Sequence, residues 1–218
     1  AGNVTSLLYA ALGEGLDKKN KKLLKSPFAQ FLKLTSEVRT LYKITEKQHL
    51  AARLMGGVLW AYGTQTIAPY SEQFYIGGAN SLRAFTVRSL GPGTFAPGKN
   101  SQYGYLDQTG DIKLEANLEY RFPIFGDLYG ATFLDAGNVW LIRKEASRPG
   151  GQLTLKDFAK SIALGTGVGL RYDLEFLVLR LDLGIALHAP YDTGKSGYYN
   201  IPKFKDGLGL HFAIGYPF

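Results

Sequence analysis

Apolar and polar residues alternate one by one along much of this chain, and the clearest case is the segment DIKLEANLEYRF, from Asp111 to Phe122. In an extended conformation, one face would carry Ile112, Leu114, Ala116, Leu118, Tyr120 and Phe122, and the other Lys113, Glu115, Asn117, Glu119 and Arg121. A helix would mix the two sets, whereas a strand has a side-chain period of two and separates them. The pattern therefore predicts a β-strand with one apolar and one polar face.

The same period of two recurs and predicts about eight strands in all. The other segments are Asn3–Gly13, Phe28–Lys43, Gln48–Gly63, Leu128–Ile142, Ser161–Tyr172, Phe176–Leu187 and Gly207–Phe218. Short links at 42–48, 123–127 and 172–176 alternate with long ones at 63–109, 143–160 and 188–206. Short turns at one end and long loops at the other are typical of outer-membrane barrels.

The chain has 27 glycines, 14 tyrosines and 13 phenylalanines, and their positions indicate which face meets which environment. Gly165, Gly167 and Gly169 share the polar face of one strand, where glycine permits close approach of backbone in a crowded interior. The apolar rows end in aromatic residues such as Trp60 and Tyr172, which suits a membrane interface. We predict an all-β fold, an antiparallel transmembrane β-barrel with lipid outside; a soluble sandwich or lipocalin-like protein is the alternative.

Charge and cysteine content narrow the functional classes. The net charge is +7, and much of the basic excess lies in Leu16–Pro27, which we interpret as a solvated loop; a head-group or nucleic-acid patch is the alternative. We expect no nucleic-acid partner. With no cysteine, the chain has no Cys-based zinc site, thiol nucleophile or disulfide.

The sequence shows no membrane-spanning helix, no secretory signal at its start, and no motif for catalysis or metal binding. No apolar stretch approaches the ~20 residues of a membrane-spanning helix. No secretory signal opens the chain, so we expect either a removed signal or a piece of a longer protein. His49, His188 and His211 lack the spacing of metal ligands, and no nucleophile elbow or phosphate-binding loop occurs. We expect no metal, no cofactor and no catalysis.

The connection Gly63–Thr109 is much longer than a hairpin requires, and loops of this length are usually functional or disordered. It contains FYIGGANSLRAFTVRSLGPG, which resembles the signature loop of the BamA/TamA outer-membrane assembly family, also called bacterial surface antigen proteins, in versions from the Bacteroidetes branch. The matching loop positions are Gly77, Gly78, Leu82, Arg83, Ala84, Phe85, Gly91 and Gly93.

Further motifs in the same order strengthen this resemblance. NLEYRFPI, from Asn117 to Ile124, resembles the strand after the loop, and FLDAGNVW, from Phe133 to Trp140, resembles the next one. The chain ends in HFAIGYPF, which resembles the C-terminal targeting signal of outer-membrane barrels. Its signal positions are Phe212, Ile214, Tyr216 and Phe218.

The resemblance implies a role for Arg83. In the family the loop folds back into the barrel, and its arginine meets acids on the inner wall; the matching acids here are Glu119, on the polar face of its strand, and Asp135. A guanidinium can bind a carboxylate bidentately, which a lysine cannot. The family usually has glycine at the position of Ala84, so the added methyl tests whether the loop tip needs a positive φ or very close packing.

The resemblance also implies the wider architecture and function. The family barrel has sixteen strands, so residues 1–218 are expected to form its C-terminal half, preceded by POTRA or other domains. The implied function is the insertion or export of client proteins at the outer membrane of Gram-negative bacteria. The expected partners are outer-membrane lipid, client β-barrel or exported proteins, and accessory lipoproteins. The alternatives are a passive pore or structural barrel, or the membrane anchor of an exported lipase.

Overall fold

The computed structural model describes residues 22–23, 26–27, 30–62, 67–96 and 108–218. The strands are β1 (Lys22–Leu23), β2 (Ser26–Pro27), β3 (Gln30–Thr45), β4 (Gln48–Tyr62), β5 (Ile112–Phe125), β6 (Leu128–Trp140), β7 (Ala163–Asp173), β8 (Val178–His188) and β9 (Leu208–Ile214). One α-helical turn, α1, spans Phe158–Ser161, and 3₁₀ turns span Tyr70–Glu72 and Phe204–Gly207. β1 and β2 form a separate two-residue ladder.

Strands β3 to β9 form one antiparallel sheet in which each strand pairs with its neighbour in sequence. The hairpin turns β3–β4, β5–β6 and β7–β8 are short, whereas β4–β5, β6–β7 and β8–β9 are joined by long connections at the opposite end. This arrangement confirms the predicted antiparallel all-β fold and the alternation of short and long links. Five strands, β5 to β9, follow the long loop.

The two faces of the sheet have opposite chemistry. Large apolar side chains, among them Leu34, Val168 and Leu210, are exposed on one face. The other face buries charged residues, including Glu119, Asp135 and Arg171. Because the apolar rows are exposed and do not form a dry core, the structure does not match the soluble-sandwich alternative.

The hydrophobic core lies on the inner, polar face and is built largely from the long loop between β4 and β5. Ile76, Leu82 and Leu90 of this loop are fully buried against Leu59 of β4 and Val139 of β6. The loop therefore supplies apolar surface that this face of the sheet lacks, and burial of that surface stabilises the docked loop.

The sheet has seven strands within the described residues, and it is open. Among these residues, β3 pairs only with β4, and β9 pairs only with β8. The predicted strand Asn3–Gly13 and most of the basic stretch Leu16–Pro27 lie outside the described residues. In the described part of the chain, no helix is long and apolar enough to span a membrane.

The last strand departs from the prediction. Alternation was expected to keep Phe212, Ile214, Tyr216 and Phe218 on the apolar face, but β9 ends at Ile214 and Gly215 takes a positive φ of 82°. Phe212 and Ile214 remain exposed on the apolar face. The rings of Tyr216 and Phe218 instead lie against inner-face arginines, because the turn at Gly215 breaks the period of two.

An outward charge at mid-strand tests the lipid-facing assignment. Leu134 is exposed near the middle of β6, and we expect Leu134→Arg to lower the free energy of unfolding in lipid vesicles by about 2–4 kcal/mol. Leu155→Arg is the control, because Leu155 lies in a loop and is 93% exposed. Urea titration of the vesicle-embedded protein gives both values. Equal, near-zero changes at the two positions would place the apolar face in water.

Candidate loop-anchoring site on the inner face

A set of local backbone hydrogen bonds shapes the segment of the long loop that carries Arg83. The amide of Gly78 donates to the carbonyl of Phe85 over 2.8 Å, and that of Arg88 donates to Ile76 over 3.0 Å. Gly77 and Gly78 have φ values of 99° and 95°, a region that residues with a Cβ rarely adopt. The two glycines thus allow the tight reversal that presents Arg83 to the sheet.

Arg83 is fully buried and binds Asp135 of β6 through three donors. Its Nε and Nη2 donate to Oδ2 and Oδ1 of Asp135, both over 2.9 Å, and its backbone amide donates to Oδ2 over 3.0 Å. Its Nη1 donates to Oε2 of Glu119 on β5. The guanidinium also lies 3.6 Å from the centroid of the Phe133 ring. The planar, five-donor group thus bridges two carboxylates while stacking on an aromatic ring.

Glu119 is shared by two further arginines on the inner face. Nε of Arg121 donates to Oε1 over 2.7 Å, and Nη2 of Arg171 donates to Oε2 over 2.9 Å. Three guanidinium groups therefore donate hydrogen bonds to this one carboxylate.

The network continues across the sheet to β8. Arg171 contacts Asp182 at 2.6 Å, and Arg180 contacts Asp182 at 3.4 Å. Nη2 of Arg180 donates to Oδ1 of Asn80, in the loop, over 2.5 Å. Strands β5 to β8 thus all contribute to holding the loop tip.

A second set of polar contacts joins β4 and β5 to the residues before Arg83. Nη2 of Arg53 donates to the carbonyl of Asn80 over 2.9 Å, and its Nε donates to Oδ1 of Asn117 over 3.0 Å. The Asn117 amide donates to the carbonyl of Ser81 over 2.9 Å and to Oδ1 of Asp135 over 2.8 Å. Asn117 thus connects this set to the Arg83–Asp135 pair.

The later part of the loop carries a second arginine that is held within the loop itself. The guanidinium of Arg88 lies 4.6 Å from the ring centroids of both Tyr70 and Tyr75, and it donates to the hydroxyl of Tyr70. Further on, the amide of Gly93 donates to the carbonyl of Val139 over 2.7 Å. The Arg88 contacts thus join two parts of the loop to each other, whereas the Gly93 contact docks the loop on β6.

At the rim, the loop between β6 and β7 also contacts the end of the long loop. Nη1 of Arg148 donates to the carbonyl of Thr109 over 3.1 Å. Partial burial of Glu145 favours its neutral form, but hydrogen bonds from Arg148 and Ser147 outweigh this effect and keep the pKa of Glu145 below its usual value. The two long connections therefore support each other through a charged contact.

The structure brings Arg83, Glu119 and Asp135 together and places the signature positions around them. Leu82, Ala84 and Phe85 are buried, and Gly91 and Gly93 have positive φ. Ala84 is not among the described residues with positive φ, so its methyl requires space rather than an unusual backbone. Alternation within the strand had placed Arg121 on the polar face, and the same parity holds for Arg171, Arg180 and Asp182 in their strands. The partners of these residues depend on strand register, which periodicity does not supply.

No group of three or more His, Asp or Glu residues in the described part of the chain has an arrangement that could hold a metal ion. The inner-face carboxylates are instead paired with arginines. What the site can do chemically is to hold a long loop against the sheet wall by charge-assisted hydrogen bonds.

Two relatives with similar sequences are both longer than this chain. Outer membrane protein assembly factor BamA of Nitratidesulfovibrio vulgaris is 28% identical over 184 residues, which is 84% of this chain and 20% of BamA. Sorting and assembly machinery component 50 homolog A of Xenopus laevis is 31% identical over 75% of this chain and 34% of its own length. The chain thus spans about a fifth to a third of these relatives.

A solved structure of BamA from Haemophilus ducreyi, lacking POTRA domains 1–3, superposes with a TM-score of 0.58 and 16% identity, over 84% of this chain and 35% of that one. This likeness supports the fold. The sequence model for the Omp85 superfamily domain matches residues 24–218. The predicted resemblance to BamA is confirmed, whereas the Bacteroidetes branch stays a prediction. Because that match extends from residue 24 to the last residue, this chain belongs to the Omp85 superfamily.

Proposed function

We propose that this chain is part of the barrel of a protein assembly or translocation factor in the bacterial outer membrane. The observation that carries the proposal is the long loop anchored on the inner face by Arg83, Glu119 and Asp135. Membership of the Omp85 superfamily and relatives named as assembly components support it. The exposed apolar rows face lipid, and the charged face lines the lumen.

The last strand provides the feature that such a function requires. β9 spans only seven residues, and its outer edge has no partner within the described residues. An unpaired edge can accept another strand through backbone hydrogen bonds. Client β-barrel or exported proteins would pair there, with accessory lipoproteins as further partners.

The chain forms the C-terminal half of a sixteen-stranded barrel in this proposal. An eight-stranded barrel has room only for its own side chains, whereas here a long loop covers the inner face of the sheet. The open sheet and the greater length of the relatives are consistent with additional strands.

The C-terminal segment has two parts in this proposal. Phe212 and Ile214 face outward and form the part of the targeting signal that is accessible on the apolar side. The Tyr216 ring lies 4.1 Å from the guanidinium of Arg121, and Phe218 lies 5.2 Å from that of Arg53. These two aromatic rings therefore lie on the inner side of the sheet and not on the apolar face.

Arg83 variants separate this function from a passive pore. Arg83→Ala leaves two buried carboxylates without their shared partner, which should cost about 3–5 kcal/mol of loop docking. We expect faster hydrogen exchange across residues 74–90 and a higher single-channel conductance in planar bilayers. Arg83→Lys should recover only part of both, because an ammonium cannot reproduce the bidentate geometry.

Arg39→Ala is the matched control, because Arg39 also lies on the inner face but pairs with Glu37 in an exposed position. It should change neither exchange nor conductance. Wild-type exchange and conductance in Arg83→Ala would contradict the anchoring role and favour an open pore or a structural barrel.

Cross-linking tests the edge strand. In the proposed sixteen-stranded barrel, β9 is the last strand, and its junction with the first strand is the seam. A disulfide that joins Leu210→Cys of β9 to a cysteine in that first strand should block client insertion into proteoliposomes, because the edge could no longer accept a client strand. The control joins Leu183→Cys to the same Leu210→Cys, positions that are already paired between β8 and β9, and should leave insertion unchanged. This chain has no native cysteine to interfere. Normal insertion with the seam locked would refute the proposed function.

A further inference from the structure

Three inner-face glycines on neighbouring strands lie directly beneath the tip of the anchored loop. A Cβ added at Gly184 of β8 would lie 2.6 Å from the carbonyl carbon of Arg83 and 2.7 Å from Cα of Ala84. A Cβ added at Gly209 of β9, which pairs with Gly184, would lie 3.0 Å from the carbonyl oxygen of Arg83. The missing side chains thus leave the space that the loop backbone occupies.

Gly165 of β7 differs, because its close neighbour is a side chain. A Cβ added there would lie 2.5 Å from Cβ of Ala84, whereas the next atoms, the carbonyl oxygen of Ile185 and Cα of Ala84, lie 3.6 and 3.7 Å away. The methyl group of Ala84 is therefore the one obstacle to a side chain at position 165. Two methyl carbons cannot occupy this distance in a packed interior.

Gly165 also pairs in the ladder with Asp135, the main partner of Arg83. The Ala84–Gly165 contact therefore lies beside the ion pair that anchors the loop. A displacement of Ala84 from the wall moves Arg83, the preceding residue, away from Asp135. Both the Arg83 amide and its guanidinium depend on this distance, since both donate to Asp135 Oδ2.

We propose that residues 84 and 165 form a size-matched pair, in which one methyl group is accommodated when the loop is seated and two are not. Ala84 stands where the resembling family usually has glycine, and Gly165 provides the room for it. Gly165 and Gly184 are positioning residues that set how closely Arg83 approaches its carboxylates. The proposal rests on the proposed role of the anchored loop, but it concerns only the fit of the loop.

A double-mutant cycle tests this pair through hydrogen exchange of residues 74–90 in the vesicle-embedded protein. Gly165→Ala should accelerate exchange at least about fivefold, as overpacking by one methyl would. Alanine is the better strand residue, so a loss of protection cannot come from the strand backbone. Ala84→Gly alone should remain within about twofold of wild type, and Ala84→Gly with Gly165→Ala should return to that level.

Gly184→Ala provides the contrasting case. Its added methyl meets backbone atoms of Arg83 and Ala84, so Ala84→Gly should not rescue it. Gly56→Ala is the neutral control, because a Cβ at that position meets nothing within 4 Å. Folding of each variant is checked by the heat-dependent gel shift of the barrel.

Three results would overturn the proposal: wild-type protection in Gly165→Ala, a double variant no better protected than Gly165→Ala, or a double variant that does not fold. Failure of Gly165→Ala alone to fold, with folding restored in the double variant, would support it. Exchange is measured without any client protein. A seated loop in a protein that inserts no client would therefore count against the proposed function and not against this pair.

Discussion

A guanidinium buried away from water must have its charge and its hydrogen bonds satisfied, and this requirement organises the inner face of the sheet. Arg83 meets it through Asp135 and Glu119, each fully buried as well. The carboxylates in turn require positive partners, and Glu119 has Arg121 and Arg171 in addition. Removing a member takes a partner away from at least one charge that stays buried, which makes such a network far more sensitive to mutation than surface ion pairs are.

The anchored loop also explains how a sheet with a charged inner face acquires a hydrophobic core. The wall supplies few large apolar side chains on this side, so the core forms between the wall and loop residues such as Ile76, Leu82 and Leu90. The polar anchor fixes the loop's position and orientation, while apolar burial adds non-directional stability. Neither would suffice alone, because hydrophobic contact does not specify register and buried charge is costly unless it is paired.

The loop tip rests on the strand that carries the open edge. Gly209 of β9 lies beneath the carbonyl of Arg83, and the Phe218 ring lies 5.9 Å from the Arg83 guanidinium. The tip of the loop and the C-terminal segment that includes β9 are therefore in direct contact. In the proposed function, a client strand pairs with the free edge of β9 while the inner face of β9 supports the loop. The anchored loop and the proposed site of client pairing are thus on the same strand.

The sequence by itself determined the strand periodicity, the alternation of short and long links, and the faces of Glu119 and Arg121, because side-chain direction in a strand follows from residue parity alone. It also indicated that Gly165, Gly167 and Gly169 leave space for something close. Only the tertiary structure decided which carboxylates meet Arg83, that Ala84 fits against Gly165, and that Tyr216 and Phe218 turn inward. These depend on strand register, loop path and the turn at Gly215, which arise from contacts between residues far apart in the chain.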